Sequence, residues 1–226
     1  MMTKNAFNIE ARRLVESGAL GMIEDICLHM EFLYGSTPEE AGSWRCSRPE
    51  EMGGPVGDVG SHCLYMAEYL TGKRIVSIGC AYLPPTLGIA VENGAFIQFE
   101  LSDGLMGTAR LAFNRPRGGI ATTIRNLGFE IYGTEGVLRS SGTLFQLSGH
   151  PDEAVRIGLE LDRNGVVESV DPPSRPNIYR AQIAEHARSI LAERPQDGRE
   201  GIDNLALLEL CHESARLGGR MLHVPG

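Results

Sequence analysis

No two glycines in this chain are separated by a single residue, so a G-x-G-x-x-G fingerprint, which seats dinucleotide phosphates on a helix N-terminus, cannot be written anywhere in it. A nucleotide-binding domain is therefore not expected within residues 1–226. The five cysteines, Cys27, Cys46, Cys63, Cys80 and Cys211, form no C-x-x-C pair and are odd in number. Neither a zinc ribbon nor a disulfide framework is expected, and they read as reduced, mostly buried thiols. No stretch approaches the roughly 20 apolar residues that span a bilayer, and the N-terminal MMTKNAFNIEARR has no apolar signal core. A cytoplasmic protein without a membrane partner is expected. Basic runs are missing too: the formal charge is -8, so a phosphate-tracking surface, and with it nucleic acid, is not expected as a partner. Small neutral or mildly charged ligands suit this balance better.

What is present reads as one α+β domain over residues 1–226. The 42% hydrophobic content is ordinary for a globular core. Over 8–19 the apolar residues Ile9, Ala11, Leu14 and Val15 recur at helical spacing, with Gly18 and Gly21 to close the element. Residues 22–34 alternate instead. Ile23, Asp25, Cys27, His29 and Glu31 share one face of a strand, and Glu24, Ile26, Leu28, Met30 and Phe32 share the other. Residues 35–54, rich in Pro, Gly, Ser and charge, predict a surface loop in which Trp44 and Arg45 stand out. The stripe Val59, Cys63, Met66, Ala67 and Leu70 predicts a helix over 58–70, ended by Thr71-Gly72.

From Arg74 onward five strand-like runs follow, RIVSIGCAYL, GAFIQFEL, GLMGTARLAF, NLGFEIYG and GVLRSSG, with Asp-Gly and Gly-Thr-Glu-Gly between neighbours. Pro172, Pro173 and Pro176 mark an irregular crossing before helices over 179–193 and 203–218. Within the first of these, Ile183, Ala187, Ile190 and Leu191 read as core. The fold class expected is an open, mostly antiparallel sheet of about six or more strands, covered on one face by helices. A bare apolar sheet face rarely stays in water, so a homodimer or tetramer through that face is expected.

The densest chemical signal is GGPVGDVGSH over 53–62. Asp58 and His62, four apart at a helix start, lie on one face. A carboxylate one turn from an imidazole can fix its tautomer and raise its basicity, as a general base requires. The crowded glycines would let a ligand approach the backbone. The same residues also permit a plainer reading, with Asp58 a helix cap and His62 a core histidine. His150, His186, His212 and His223 have no partner at ligand spacing and read as structural or exposed.

These segments resemble the Gfo/Idh/MocA family of NAD(P)-dependent sugar and polyol oxidoreductases. GGPVGDVGSHCLYMAEYLTG is similar to its G-G-x-x-x-D-x-G-x-H helix, SGALGMIEDI to its S-G-x-L-G-x-I junction, Trp44-Arg45 to its W-R loop and FEIYGTEGVLR to its G-T-x-G strand pair. The resemblance implies a dihydrodipicolinate-reductase-like C-terminal domain, with His62 as catalytic base or relay and Asp58 orienting it. It also implies that Trp44 and Arg45 shape a sugar pocket, that the chain forms oligomers, and that NAD or NADP is bound only with a Rossmann partner. Tyr65 stands where the family often has an aspartate, and Glu92-Asn93 where it has an acid pair. Neither lysine, Lys4 or Lys73, lies in the family's E-K-P motif.

Three readings follow. The chain is one domain of a dehydrogenase, inactive without its other half. Alternatively it is a sugar-binding or oligomerisation module, or the partner of a separate Rossmann polypeptide. Third, His29, Glu31, Asp58 and His62 could together ligate a metal in a lyase or isomerase.

Overall fold

The alternation in the first strand sets the layout of the molecule. The computed structural model describes residues 2–114, 127–142, 157–194 and 196–225; His150 lies outside them. In it, β1 (Ile23–Glu31) runs through the middle of a nine-stranded sheet. The other strands are β2 (Ile75–Tyr82), β3 (Gly94–Leu101), β4 (Met106–Ala112), β5 (Leu127–Gly133), β6 (Gly136–Ser141), β7 (Gly158–Arg163), β8 (Val166–Ser169) and β9 (Leu222–His223). Their spatial order is β8-β7-β6-β5-β1-β4-β3-β2-β9. β1 is parallel to β4 and antiparallel to β5, and the remaining pairs are antiparallel. The α+β fold is thus as expected, although the run of five strands undercounts the sheet.

Period-2 geometry separates the two faces. Ile26, Leu28 and Met30 are at most 1% exposed and register against Ile131 and Phe129 on β5 and against Ala109 and Leu111 on β4. Helices supply the other half of this core. α1 (Ala6–Glu16) buries Phe7, Ala11 and Leu14, and Asn5 caps it by accepting from the Phe7 N–H at 3.0 Å. α4 (Ser61–Thr71) buries Cys63, Leu64, Met66, Ala67 and Leu70, and α6 (Arg199–Arg216) buries Leu207, Leu208 and Cys211. Gly72, at φ 68°, ends α4 as Thr71-Gly72 predicts.

The opposite face is not the bare apolar surface expected. Asp25, Cys27, His29 and Glu31 of β1 share it with Thr108 and Arg110, Gln98 and Glu100, and Glu130 and Tyr132 of neighbouring strands. Arg110 donates to Glu31 at 2.5 Å, and Tyr132 donates to Glu130 at 2.9 Å. Phe96 and Met106 are exposed on the same face, so it is a mixed polar and apolar surface rather than a bare apolar one.

A second correction concerns α5 (Ile178–Leu191). Its stripe, expected as core, is open to solvent: Ile183 is 69% exposed, Ile190 60% and Leu191 84%, while only Ile178 is buried. Periodicity marks a face suited to cover without saying what covers it. The five thiols are free, and all but Cys27 are buried. No described helix is long and apolar enough to cross a membrane.

Candidate active site at the start of the Asp58–His62 helix

The stretch 35–54, expected as an irregular loop, is built of short helices. Thr37-Pro38-Glu39-Glu40 carries a reciprocal capping box and Pro at the first turn, and starts α2 (Pro38–Gly42). α3 (Trp44–Ser47) follows at once. Cys46 is buried, and its carbonyl accepts from the Ala90 N–H at 2.9 Å, tying this stretch to the β2–β3 connection. Trp44 and Arg45 are thereby held on a fixed support.

The next segment, Val56–Gly60, is π-helical and runs directly into α4. Such single π turns are frequent at functional sites. Its glycines serve a different purpose from the one expected. A Cβ on Gly57 would stand 2.0 Å from the Met52 carbonyl oxygen, and Gly54, at φ +94°, would push one to 2.4 Å from the Glu92 carboxylate. These positions let the helix start close on its own loop rather than open the backbone to a ligand.

The cap is also not Asp58. Glu92, from the connection before β3, accepts from the Val56 N–H at 2.9 Å. Burial raises its pKa to about 7 against that hydrogen bond. Neighbouring Asn93 is buried and accepts from the N–H groups of Thr86 and Leu87, both at 2.6 Å, so it shapes the connection. Sequence reading noted Glu92-Asn93 only as a departure from a pattern; a buried carboxylate reaching a helix N-terminus 36 residues upstream carries no local signal.

Glu92 gives a pH prediction. Its folded pKa lies above that of an unfolded glutamate, so its stabilising contribution is full at low pH and is lost as pH rises through about 7. Glu92→Gln should therefore raise stability at pH 8 by about 2 kcal/mol and change it little at pH 5. Urea unfolding at the two pH values measures this, and equal effects at both would refute the buried-charge account.

With the cap supplied elsewhere, Asp58 is available to the site. Its Oδ1 accepts from Arg45 Nε at 3.0 Å, and the Arg45 guanidinium stacks over the Trp44 ring at 4.8 Å from the centroid. Trp44 itself is 39% exposed, an open indole face beside a fork of donors. His62 follows one turn after Asp58. Burial lowers its pKa, and the Asp58 charge opposes that shift without overcoming it. The expected rise in basicity is thus reversed: the imidazole is held neutral near pH 7, the form that can accept a proton. All four predicted residues, Trp44, Arg45, Asp58 and His62, belong to one cluster.

A cleft of about 810 Å³ opens between Met52, Glu92 and the α6 residues Leu205, Glu209 and His212, and none of Trp44, Arg45, Asp58 and His62 lines it. His212, read as isolated, is 2.6 Å from the Tyr82 hydroxyl through Nδ1. Tyr65, on α4, donates to Glu200 of α6 at 2.8 Å and braces the two helices. The metal constellation does not form. His29 and Glu31 lie on the sheet face opposite Leu111 and Met30, and the Asp58 segment packs on the Leu111 side, where a Cβ on Gly60 would touch Leu111. Among the described residues no group of three or more His, Cys, Asp or Glu could hold a metal ion.

The molecule is an α+β domain, a helix-backed open sheet with Asp58 and His62 at the start of one of the covering helices. The family model described as the GFO/IDH/MocA C-terminal domain matches residues 9–139, more than half of the chain, and the chain belongs to that family. It is similar to 1,5-anhydro-D-fructose reductase of Ensifer adhaerens, at 25% identity over 175 residues. That match covers 75% of this chain and 47% of the relative. Among solved structures it resembles the aldose-aldose oxidoreductase of Caulobacter crescentus complexed with glycerol, at TM-score 0.80 and 23% identity, covering 98% of this chain and 62% of that one. An inositol dehydrogenase homologue of Azotobacter vinelandii complexed with NAD+ matches at TM-score 0.72 and 19% identity, with 98% and 63% covered. The chain thus spans about half to two-thirds of these proteins.

Proposed function

We propose that this chain is the substrate-binding half of a cytoplasmic NAD(P)-dependent sugar or polyol oxidoreductase. The observation that carries this reading is the continuous contact from Trp44 through Arg45 to Asp58, with His62 one helical turn further on. Sugar hydroxyls suit the donors of Arg45 and the acceptors of Asp58, and a C–H-rich sugar face suits the indole. His62 takes the proton from the reacting hydroxyl, and Asp58 orients hydroxyl and imidazole together. Similar proteins named for anhydrofructose, aldose and inositol chemistry support a polyhydroxylated substrate.

The parallel pair of described strands, β1 and β4, is separated in the chain by β2 and β3, and no Gly-rich strand-to-helix turn of the dinucleotide-binding kind is present among the described residues, which supports a nucleotide site elsewhere. NAD or NADP is accordingly held by a nucleotide-binding fold outside these 226 residues, and supplies the hydride acceptor when bound. The catalytic unit is proposed to be a homodimer or tetramer.

Trp44 is the sole tryptophan, so its fluorescence reports on the site directly. Titration with myo-inositol, glycerol and 1,5-anhydro-D-fructose should change its emission saturably for at least one polyol, and Asp58→Ala should weaken that response by about 10-fold, as loss of a charged hydrogen-bond partner does. Emission that no polyol alters, or that Asp58→Ala leaves unchanged, would sink the assignment.

A further inference from the structure

The proposed site joins two stretches of chain, α3 with Trp44 and Arg45 and the turn Val56–Gly60 with Asp58, and the β2–β3 connection touches both. The Ala90 N–H donates to the Cys46 carbonyl of α3 at 2.9 Å. Two residues further on, Glu92 accepts at 2.9 Å from the N–H of Val56, which lies two residues before Asp58. The connection is in turn fixed to the sheet, since the Phe113 N–H just beyond β4 donates to the Asn93 carbonyl at 2.8 Å. Both halves of the site are thus held by one strut.

What Glu92 supplies does not come from the turn itself. The first N–H groups of a helix have no partner within it, and neither Pro55 nor Gly60 provides a side-chain cap. Gly53 is tied back to α3 through its N–H, which donates to the Arg48 carbonyl at 3.0 Å. The next residue, Gly54, is at φ +94° and has no side chain to fix the direction in which the chain leaves. That direction is set by Glu92 holding Val56 on one side and by Gly57 packing on the Met52 carbonyl on the other.

We propose that Glu92 is a positioning residue of the substrate site, setting the distance between Arg45 and Asp58 by the reach of its side chain. The inference rests on the reading above of Arg45 and Asp58 as sugar-binding groups. The contact at stake is the 3.0 Å hydrogen bond from Arg45 Nε to Asp58 Oδ1, which keeps the guanidinium over the Trp44 ring. Hydrogen bonds weaken steeply with distance and misalignment, so a helix start displaced by about 1 Å loses most of this one. A glutamine of equal length offers Val56 the same kind of oxygen, whereas an aspartate withdraws the acceptor by about 1.5 Å, one carbon–carbon bond. Reach and charge are therefore separable at this position.

Acrylamide quenching of Trp44, the sole tryptophan, reads the arrangement without any ligand. Arg45 covers one face of the indole, so its release should raise the quenching constant by about 1.5-fold or more. Glu92→Ala and Glu92→Asp should both produce that rise, and Glu92→Gln should stay near wild type. In an Asp58→Ala background, where Arg45 is already released, Glu92→Ala should add nothing, because a residue that acts through Asp58 is not additive with its loss. A cap that merely stabilises the helix would act to the same extent in either background. Thermal unfolding identifies the folded variants, and Glu92→Asp carries the comparison should Glu92→Ala not fold.

Unchanged quenching in the folded Glu92→Ala or Glu92→Asp protein, equal increments in both backgrounds, or a rise in Glu92→Gln as large as in Glu92→Ala would each overturn the positioning role. For any polyol that the wild type binds, Glu92→Ala should weaken binding by about 10-fold and Glu92→Gln by less than about two-fold. Binding that Glu92→Ala leaves intact would overturn the link to the site. Quenching that follows the expected pattern in a protein whose Trp44 no polyol affects would sink the substrate reading alone, with Glu92 still setting the Arg45–Asp58 pair.

Discussion

Replacement of His62 by alanine, in the chain joined to its nucleotide-binding partner, should lower turnover by about 100-fold or more while thermal unfolding and the Trp44 response to polyol stay near wild type. The size of the effect follows from the environment of the imidazole. Burial lowers its pKa and the Asp58 carboxylate only partly opposes that, so the base form is populated at neutral pH and its loss is not masked by protonation. The acid limb of the rate profile should therefore fall below pH 6.5. Asp58→Asn removes the opposing charge and should move that limb to lower pH still. Added imidazole should restore part of the activity of His62→Ala, which no purely structural role would produce. A variant retaining more than a tenth of wild-type turnover would remove His62 as the base.

Gly57→Ala should be among the damaging small substitutions, costing about 1–3 kcal/mol, the usual cost of overpacking. The added carbon would stand 2.0 Å from a backbone oxygen, that of Met52, which cannot swing aside as a side chain can. The helix start would have to lift, and Asp58 would separate from Arg45. Gly18→Ala is the control: Gly18 is at φ +72° with open space around its Cβ direction, so it should lose only about 1 kcal/mol, the cost of a left-handed alanine. Denaturant unfolding compares the two, and equal losses would mean that the tight contact at Gly57 is relieved without strain.

The local elements were legible because their causes are local. The stripe Val59, Cys63, Met66, Ala67 and Leu70 is buried as written, Gly72 stops that helix, and β1 alternates as read. Two further signals were present and unread. Thr37-Pro38-Glu39-Glu40 is a capping box, and Asn164-Gly165, at φ 55° and 78°, makes the two-residue turn between β7 and β8. Asp58 and His62 were legible as a pair from their spacing, whereas their grouping with Trp44 and Arg45 was legible only through family likeness, since Arg45 lies 13 positions before Asp58 and no periodicity joins them.

The sequence by itself determined the longer helices, the strands up to Ser141, the apolar stripe of each, and that no dinucleotide fingerprint is present, because these depend on neighbours within a few residues. Only the tertiary structure decided that β1 enters the sheet beside β4, that Glu92 rather than Asp58 caps the helix start, that His29 and Glu31 lie across the sheet from His62, and that the α5 stripe faces water. Each of these depends on chain segments far apart in sequence meeting in space. Burial and charge at such meetings are properties of the assembled core, and no local pattern encodes them.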